Sequence, residues 1–505
     1  MTDVLIIGSG INGLSAAALL SKKGKKVLVV EQAEAFGGAV RTEEVTSPGF
    51  KHDLFATNLS LFAGGGVMAE LKEDLIAAGL DFVPSDKPYC SLFPDGKMIG
   101  ITMDRQKNLD TLARVVPNDV ESWKALTAKL GELAPHLFPI LGTELPSFAA
   151  AKSLFKTWRK IGTEATLNLI RMLLQSSRAF TEEHFTHPET KALAAIWGMH
   201  LDYGPDISGG ALFSFLETIG GQEFGMVLGK GGADYLIKAL VAVIEKNGGA
   251  LRTGVKVSEI LVESGQAVGV LTADGERLLA KNVIANVNPA LLPALLRETT
   301  QTQELHNFRP GLGTMMIHLA LDSLPNWIDP AAKEFNYIHI APYLDDMAMT
   351  YAQAAAGILP PTPALVIGQQ TVSDPSRAPE GKHVLWIQVR VLPLEIKGKS
   401  WDEVSESYAD QLIDNLEKYA PGLKAKILSR KVLSPADLER YNPNLIKGDS
   451  LGGSHHPAQF FFLRPTPGWI RHRTPVKSLF ICGSGTWPGG GVGGGSGLMV
   501  SKLIK

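Results

Sequence analysis

Two glycine-rich stretches, one near each end of the chain, hold the residue types that could do chemistry. The first is Gly8-Ser-Gly10-Ile11-Asn12-Gly13, placed after the apolar run Val4-Leu-Ile-Ile7 and before an alanine- and leucine-rich stretch, Leu14 to Lys23. Gly8 lets the chain turn sharply out of a strand, Gly10 lets backbone approach a pyrophosphate, and Gly13 lets helix and strand pack closely. A helix opening at Ile11 and Asn12 offers phosphates its free N–H groups and the positive end of its dipole. Glu31, with Gln32 beside it, ends the next apolar run, Lys26-Val-Leu-Val-Val30. A carboxylate about 20 residues after the glycine turn accepts hydrogen bonds from ribose hydroxyls and repels a 2′-phosphate. Strand, turn, helix, strand and acid together read as a βαβ unit for an adenine dinucleotide.

The second stretch, Gly483-Ser-Gly-Thr-Trp-Pro-Gly-Gly-Gly-Val-Gly-Gly-Gly-Ser-Gly497, follows a buried-strand pattern at Leu479-Phe-Ile-Cys482 and precedes a terminal helix, Leu498 to Lys505. Trp487 inside it is a candidate for the wall of a ring-shaped ligand. Upstream, His455-His456 lacks neighbours for a metal site and is a candidate base or substrate contact. His200 and Tyr203 are weaker candidates of the same kind.

The elements that must position these residues are legible from periodicity. A helix is expected from about Gly232 to Lys246, then three strands, Lys256–Val262, Ala267–Thr272 and Arg277–Ala285, joined by turns at Ser264-Gly265 and Asp274-Gly275. The region from Pro117 to Phe185 reads as helical with loop breaks at Pro135, Pro139 and Pro146, Gly313 to Val391 as long strands, and 400–420 as helix. Ala149 to Lys160 mixes apolar residues with Lys152, Lys156, Arg159 and Lys160. Its bland reading is a solvated face and its sharper one is docking on a membrane surface.

The chain has 505 residues, 45% hydrophobic, with 49 Lys+Arg against 51 Asp+Glu. Such a balance favours neither nucleic acid nor strongly charged substrates. Two cysteines, Cys90 and Cys482, make no zinc or disulfide pattern, so a reducing, cytoplasmic setting fits. The N-terminus reads as a strand entering a glycine turn rather than a secretory leader, and no apolar run reaches the roughly 18 residues of a membrane span. Peripheral membrane contact stays open.

After Glu31 comes a second glycine pair and an arginine, Gly37-Gly38-Ala-Val-Arg41. This segment resembles the flavoprotein superfamily of amine oxidases and phytoene desaturases, in which the glycines pass close to an extended FAD and the arginine neutralises its phosphates. Gly229-Lys-Gly-Gly-Ala-Asp-Tyr-Leu resembles the loop that re-enters the FAD domain, Thr253-Gly-Val-Lys-Val257 the strand whose backbone meets adenine at Val257, and Ala285-Asn286 the second exit from that domain. The closing glycine run resembles the phytoene-dehydrogenase branch, as do Gly448-Asp449, Gln459, Arg464-Pro-Thr-Pro-Gly-Trp469 and Arg473-Thr-Pro475. Within it, the subgroup named for a pyridine nucleotide-disulfide oxidoreductase domain is the most similar. The likeness is strong at both ends and near residues 229–290, and thin elsewhere.

The resemblance implies an α/β fold: a Rossmann-like FAD domain from residues 1–85, 222–298 and 440–505, with an inserted α+β substrate domain from 86–221 and 299–439. It implies FAD held without a covalent bond, since the closing loop contains no cysteine, with Gly483, Val492 and Gly493 along the ring. Setting Pro325-Asn-Trp327 on the family's Pro-Phe-Trp-like turn puts Ile317 where amine oxidases keep a lysine, and His318 on the opposite face. The expected activity is removal of a hydride from a small apolar substrate, isoprenoid-like or polyene, with O₂ or a quinone as acceptor. One alternative is an amine (C–N) oxidase that releases hydrogen peroxide. A remoter one is a non-enzymatic prenyl-binding protein of the guanine-nucleotide dissociation inhibitor type.

Overall fold

A computed structural model describes residues 2–297, 300–340 and 342–505. Five short strands drawn from the beginning, middle and end of the chain make one parallel layer. Thr2–Ile7 lies between Val27–Val30 and Arg277–Ala285, Ala250–Arg252 extends the layer past Val27–Val30, and Leu479–Ile481 lies beside Val283–Ala285. These strands are apolar on both faces because both faces are covered. Val4, Ile6, Val29, Ile284 and Phe480 pack under the helices Ile11–Lys22, Asp234–Lys246 and Gly495–Leu503. Leu5, Ile7, Val283 and Ile481 face the other way, toward the antiparallel meander and Trp469. Arg277–Ala285 serves both parts of this sheet. Its first half pairs antiparallel with Gln266–Thr272 and its second half parallel with Leu479–Ile481.

A second sheet of seven strands runs Ile427–Leu433, Gly313–Leu321, His383–Leu392, Leu365–Gly368, Tyr337–Ile340, Tyr89–Leu92, Met98–Ile101. Alternation splits its side chains between two cores. Met315, Ile317, Leu319, Leu385 and Ile387 pack with the helix Trp401–Leu416, whereas Met316, Tyr337 and Trp386 face a helical layer that includes Val120–Leu141, Pro188–Met199 and Ala211–Phe224. Of the boundaries expected from sequence, 85/86 falls at the end of the strand Phe82–Ser85, 221/222 inside Ala211–Phe224 and 439/440 inside the helix Pro435–Tyr441. The boundary at 298/299 lies outside the described residues.

Three local expectations change. The helix Val120–Leu141 continues through Pro135 and Pro139 instead of breaking there; a proline removes one backbone hydrogen bond but does not by itself end a helix held on both sides. Residues 344–355, inside the stretch read as strands, form a helix. The basic amphipathic segment belongs to a helical stretch, Phe148–Leu174, that kinks at Gly162, where φ is +85°.

One buried ion cluster ties the short ribbons Thr42–Glu43/His52–Asp53 and Phe82–Ser85/Met226–Gly229 to the segment between Leu365–Gly368 and His383–Leu392. The Arg377 guanidinium, fully buried, donates to Asp53 at 2.9 Å, to Asp374 at 2.9 Å and to the Gly229 carbonyl at 2.8 Å. Asp53 also accepts from Thr42, Thr57 and the Ala233 N–H, and Asp374 from the Gly231 N–H. Removing one member of such a cluster leaves uncompensated charge in a dry interior. Arg377→Met is therefore expected to lower stability by about 3–5 kcal/mol, read as a fall in the urea unfolding midpoint.

Candidate active site

The parallel strands end together, and the loops that leave them converge. The Gly8 N–H donates to Val30 O at 2.8 Å, Asn286 N–H to Ile7 O at 2.9 Å, Cys482 N–H to Ala285 O at 3.0 Å, and Glu31 N–H to Arg252 O at 2.9 Å. Gly8 turns out of its strand with φ +89°. A methyl group on Gly13 would lie 2.6 Å from the Gly8 carbonyl oxygen, so helix and turn touch only because both lack side chains. The Asn286 side-chain amide donates to Gly8 O at 3.1 Å and Gly10 O at 3.4 Å. Asn286 is thus a clamp on the glycine turn, a role that its neighbours in sequence did not announce.

The Glu31 carboxylate takes the Ser9 N–H at 2.8 Å, the Ser9 hydroxyl at 2.7 Å and the Ala33 N–H at 2.9 Å. The Gly37 N–H in turn donates to Ser9 Oγ and Ser9 O, which seats the second glycine pair against the first; a methyl on Gly38 would stand 3.1 Å from Gly10 Cα. Arg41 pairs with Glu43. The Val255 N–H donates to Glu31 O at 2.8 Å, which brings Val257 to the same rim.

The closing run is held from behind. The buried Arg464 guanidinium donates to the carbonyls of Gly452, Ser454 and Ser484, while the buried Asp449 carboxylate accepts the N–H groups of Gly311, Leu451 and Gly453. His455 lies behind the run as well: its Nε2 accepts the Gly490 N–H at 2.9 Å, and burial holds its pKa well below the ordinary histidine value. His456 contacts the Asp202 carbonyl at 2.9 Å and Tyr351, and the Tyr203 hydroxyl donates to the His455 carbonyl. Neither His455 nor His456 lines the cavity described next, so their reading as base or substrate contact gives way to one of support. Adjacency to the glycine run in sequence placed them near the site but did not fix which side of the loop they occupy.

All the loops open on one cavity of about 1740 Å³. A drug-sized ligand needs roughly 300–1,000 Å³, so the space suits an extended cofactor and a second molecule. Gly8, Gly10, Ile11, Asn12, Glu31, Gln32, Gly37 to Arg41 and Val257 line one end; Gly483, Trp487 and Gly489 to Gly495 line the middle. The helix Gly495–Leu503 begins on this wall with no side-chain cap, as does Ile11–Lys22. A methyl on Gly497 would lie 2.0 Å from the Asn12 carbonyl oxygen, so the two helices approach backbone to backbone. Trp487 is fixed in the wall by its Nε1–H to Thr143 O at 2.9 Å and by the rings of Phe460 and Phe461. Beyond it the walls are mostly Leu, Phe, Trp and Met. On the strand Gly313–Leu321 the residues facing the cavity are Thr314 and Met316. Ile317, read as the lysine's counterpart, points into the opposite core.

Residues 11–495 match the family of flavin-containing amine oxidoreductases. The chain belongs to that family. It is 27% identical to mouse pyridine nucleotide-disulfide oxidoreductase domain-containing protein 2, over 99% of this chain and 93% of that one. It is 26% identical to a neurosporene-forming phytoene desaturase of Cereibacter sphaeroides, over 99% and 94%. An oxidoreductase of Methanosarcina mazei, 21% identical and matched over the full length of both chains, has the same fold with a TM-score of 0.66.

The protein is therefore an FAD-dependent oxidoreductase with a Rossmann-like cofactor-binding fold. Its own residues fit the cofactor: two uncapped helix N-termini on one wall, glycines where backbone must come close, and a carboxylate on the rim with acceptor capacity left over. Neither thiol lines the cavity; burial raises the pKa of both, and Cys482 Sγ faces Asn286. Neither thiol is placed to bond the flavin. Gly13→Ala is expected to leave purified protein with little flavin, because the new methyl meets fixed backbone. Glu31→Ala is expected to weaken FAD at least about tenfold, the value of one hydrogen bond to a charged group. Flavin absorbance per protein and FAD titration of the apoprotein check both.

Proposed function

We propose that the protein removes a hydride and a proton from an apolar, isoprenoid-like or polyene substrate and passes the electrons to O₂ or a quinone. The observation that carries this reading is the wall of the cavity beyond the glycine loops. Leu137, Leu169, Leu173, Leu212, Phe213 and Leu216 line it, and the one lysine among the described lining residues, Lys256, stands at the far rim beside Val257. Similarity to a phytoene desaturase supports the same substrate class. In this reading Gly8, Gly10, Ile11, Asn12, Gly13 and Arg41 would hold the pyrophosphate, Glu31 and Gln32 the ribose, Val257 the adenine edge, and Gly37-Gly38 the extended chain of the cofactor. Gly483, Val492 and Gly493 would lie along the ring, where the dipole of Gly495–Leu503 favours negative charge. Bound FAD supplies hydride acceptance; the chain supplies an apolar, water-excluding bed that aligns the substrate. Residues 1–85, 222–298 and 440–505 then form the cofactor unit, and 86–221 with 299–439 the substrate unit.

One helical stretch of the cavity wall supports a membrane-side source for such a substrate. In the helical stretch Phe148–Leu174, Leu154, Thr157, Leu169 and Leu173 line the cavity. Phe148 is 86% exposed, with Leu154, Phe155 and Trp158 also exposed, and Lys152, Lys156, Arg159 and Lys160 flank them. Aromatic and basic residues on one helix suit the interface of an anionic bilayer. None of the helices among the described residues is long and apolar enough to cross a membrane.

Two measurements test these readings. Mixed anaerobically with isoprenoid hydrocarbons, the holoprotein is expected to lose its flavin absorbance near 450 nm (about the usual oxidised-flavin band). Peroxide formed from amines, with no bleaching by hydrocarbons, would favour the C–N oxidase instead. In flotation assays the protein is expected to rise with phosphatidylglycerol vesicles and not with phosphatidylcholine alone, and Phe155→Glu/Trp158→Glu to stay at the bottom with its flavin content intact.

A further inference from the structure

Among the described residues two carboxylates line the cavity: Glu31 on the cofactor rim, and Glu217 among the apolar walls. Glu217 sits on the helix Ala211–Phe224, whose cavity face also presents Phe213, Leu216, Gly220 and Phe224, one turn apart. Gly220 and Gly221, one turn on, carry no side chain, and the Tyr89 ring fills the space beside them; a methyl on Gly221 would lie 2.6 Å from Tyr89 Cε1. Glu217 is exposed, and the space it faces is the cavity, among apolar walls. Among the described residues its carboxyl has no hydrogen-bond or ion-pair partner.

The surrounding groups leave it uncompensated. From the strand Tyr89–Leu92 comes Tyr89, whose hydroxyl donates to Thr218 O at 2.8 Å. From the facing sheet come Tyr337, stacked on Trp386 with ring centroids 5.8 Å apart, and Arg390. Arg390 is already committed to Gln388 Oε1 and the His200 carbonyl, both at 2.7 Å. His136 and His200 also line the cavity, and burial holds His200 well below its ordinary value. Burial alone pushes the Glu217 carboxyl up to about 7, and the Glu217 charge helps to raise the Tyr89 and Tyr337 hydroxyls.

Natural chains seldom leave a carboxyl unpartnered inside an apolar cavity unless it works there. We infer that Glu217 is the catalytic base that accepts the substrate proton. The inference rests on the dehydrogenation proposed above. One C–H bond of the substrate leaves with its electron pair as the hydride that oxidised FAD accepts. The adjacent C–H bond gives its pair to the new double bond, and its proton forms an O–H bond on Glu217, which later returns it to water. The substrate loses two hydrogens and two electrons, and FAD is the oxidant. The ionised carboxylate is the competent form, so the step is expected to quicken as pH rises through about 7.

Glu217→Gln, close in size and without charge, tests the inference in two ways. The first needs no substrate. A carboxyl whose folded-state pKa lies above its ordinary value of 4.5 destabilises the fold once ionised, an effect absent below the ordinary value and complete above the folded one. The Tm of Glu217→Gln holoprotein is thus expected to gain on the parent between about pH 5 and pH 8; parallel curves would overturn the inference. The second uses a hydrocarbon that bleaches the parent flavin. Its bleaching rate is expected to fall by about 10²–10⁴-fold in Glu217→Gln, the usual worth of a general base. Substrate affinity should be little changed, the rise near pH 7 should vanish, and Glu217→Asp should keep part of the rate. Equal rates in parent and Glu217→Gln would overturn the base alone. Lost affinity for amines at an unchanged bleaching rate would make Glu217 a counter-ion and overturn it too. Failure of every hydrocarbon to bleach the parent would overturn the substrate reading and this assignment with it.

Discussion

The structure depends on how closely backbone can approach backbone where the parallel strands end. Gly8, Gly13 and Gly497 each stand where an added methyl would meet a main-chain oxygen at under 3 Å. With those methyls absent, the first helix lies against its own turn and the last helix against the first, and both N-termini reach one cavity wall. Asn286 completes the packing by donating to the carbonyls of Gly8 and Gly10. The cofactor end is therefore built mostly of main chain, whose N–H groups and dipoles are already oriented before any anion arrives.

This constraint explains which parts of the site were legible in the sequence. Gly8 to Gly13, Glu31, Gly37-Gly38 and the closing run act through local geometry, and local geometry leaves a spacing that can be read along the chain. The substrate end leaves no such spacing. Glu217, Tyr89, Tyr337, Trp386 and Arg390 come from four separate elements and meet only through the second sheet and the helical layer. Glu217 looks like any polar residue in a helix whose other face is apolar; only its place on the cavity face sets it apart. The one usable signal was the mismatch itself, a carboxylate between Leu216 and Gly220-Gly221. His455 and His456 erred in the opposite direction, because closeness along the chain to a functional loop carries no information about which side of it a ring occupies.

Two buried cations show what positions the loops that glycine makes flexible. Arg464 spends its donors on loop carbonyls and Arg377 on two carboxylates and a carbonyl, so each ties together segments far apart in sequence. A planar guanidinium with five donors does this as a lysine could not. Burying such charge adds little net stability. What it supplies is a single geometry for segments such as 53–57 and 452–454, which flank the cavity.

The cavity combines two demands that oppose each other. An apolar substrate needs walls without charge, yet removing a hydride from carbon leaves a proton that must go somewhere. Water would accept it, but water is excluded by the same walls that bind the substrate. One carboxylate on an otherwise apolar helix face resolves the conflict, at the cost of carrying an unpaired acid among apolar walls. That cost also tunes the group: desolvation brings the Glu217 carboxyl to about 7, where a base is both ionised and able to release its proton again. A nearer Arg390 would have held the carboxylate ionised and made it a weaker base. The absence of a partner for Glu217 is in that sense part of its chemistry, and the hydrogen bonds that hold Arg390 to Gln388 and His200 are what keep it so.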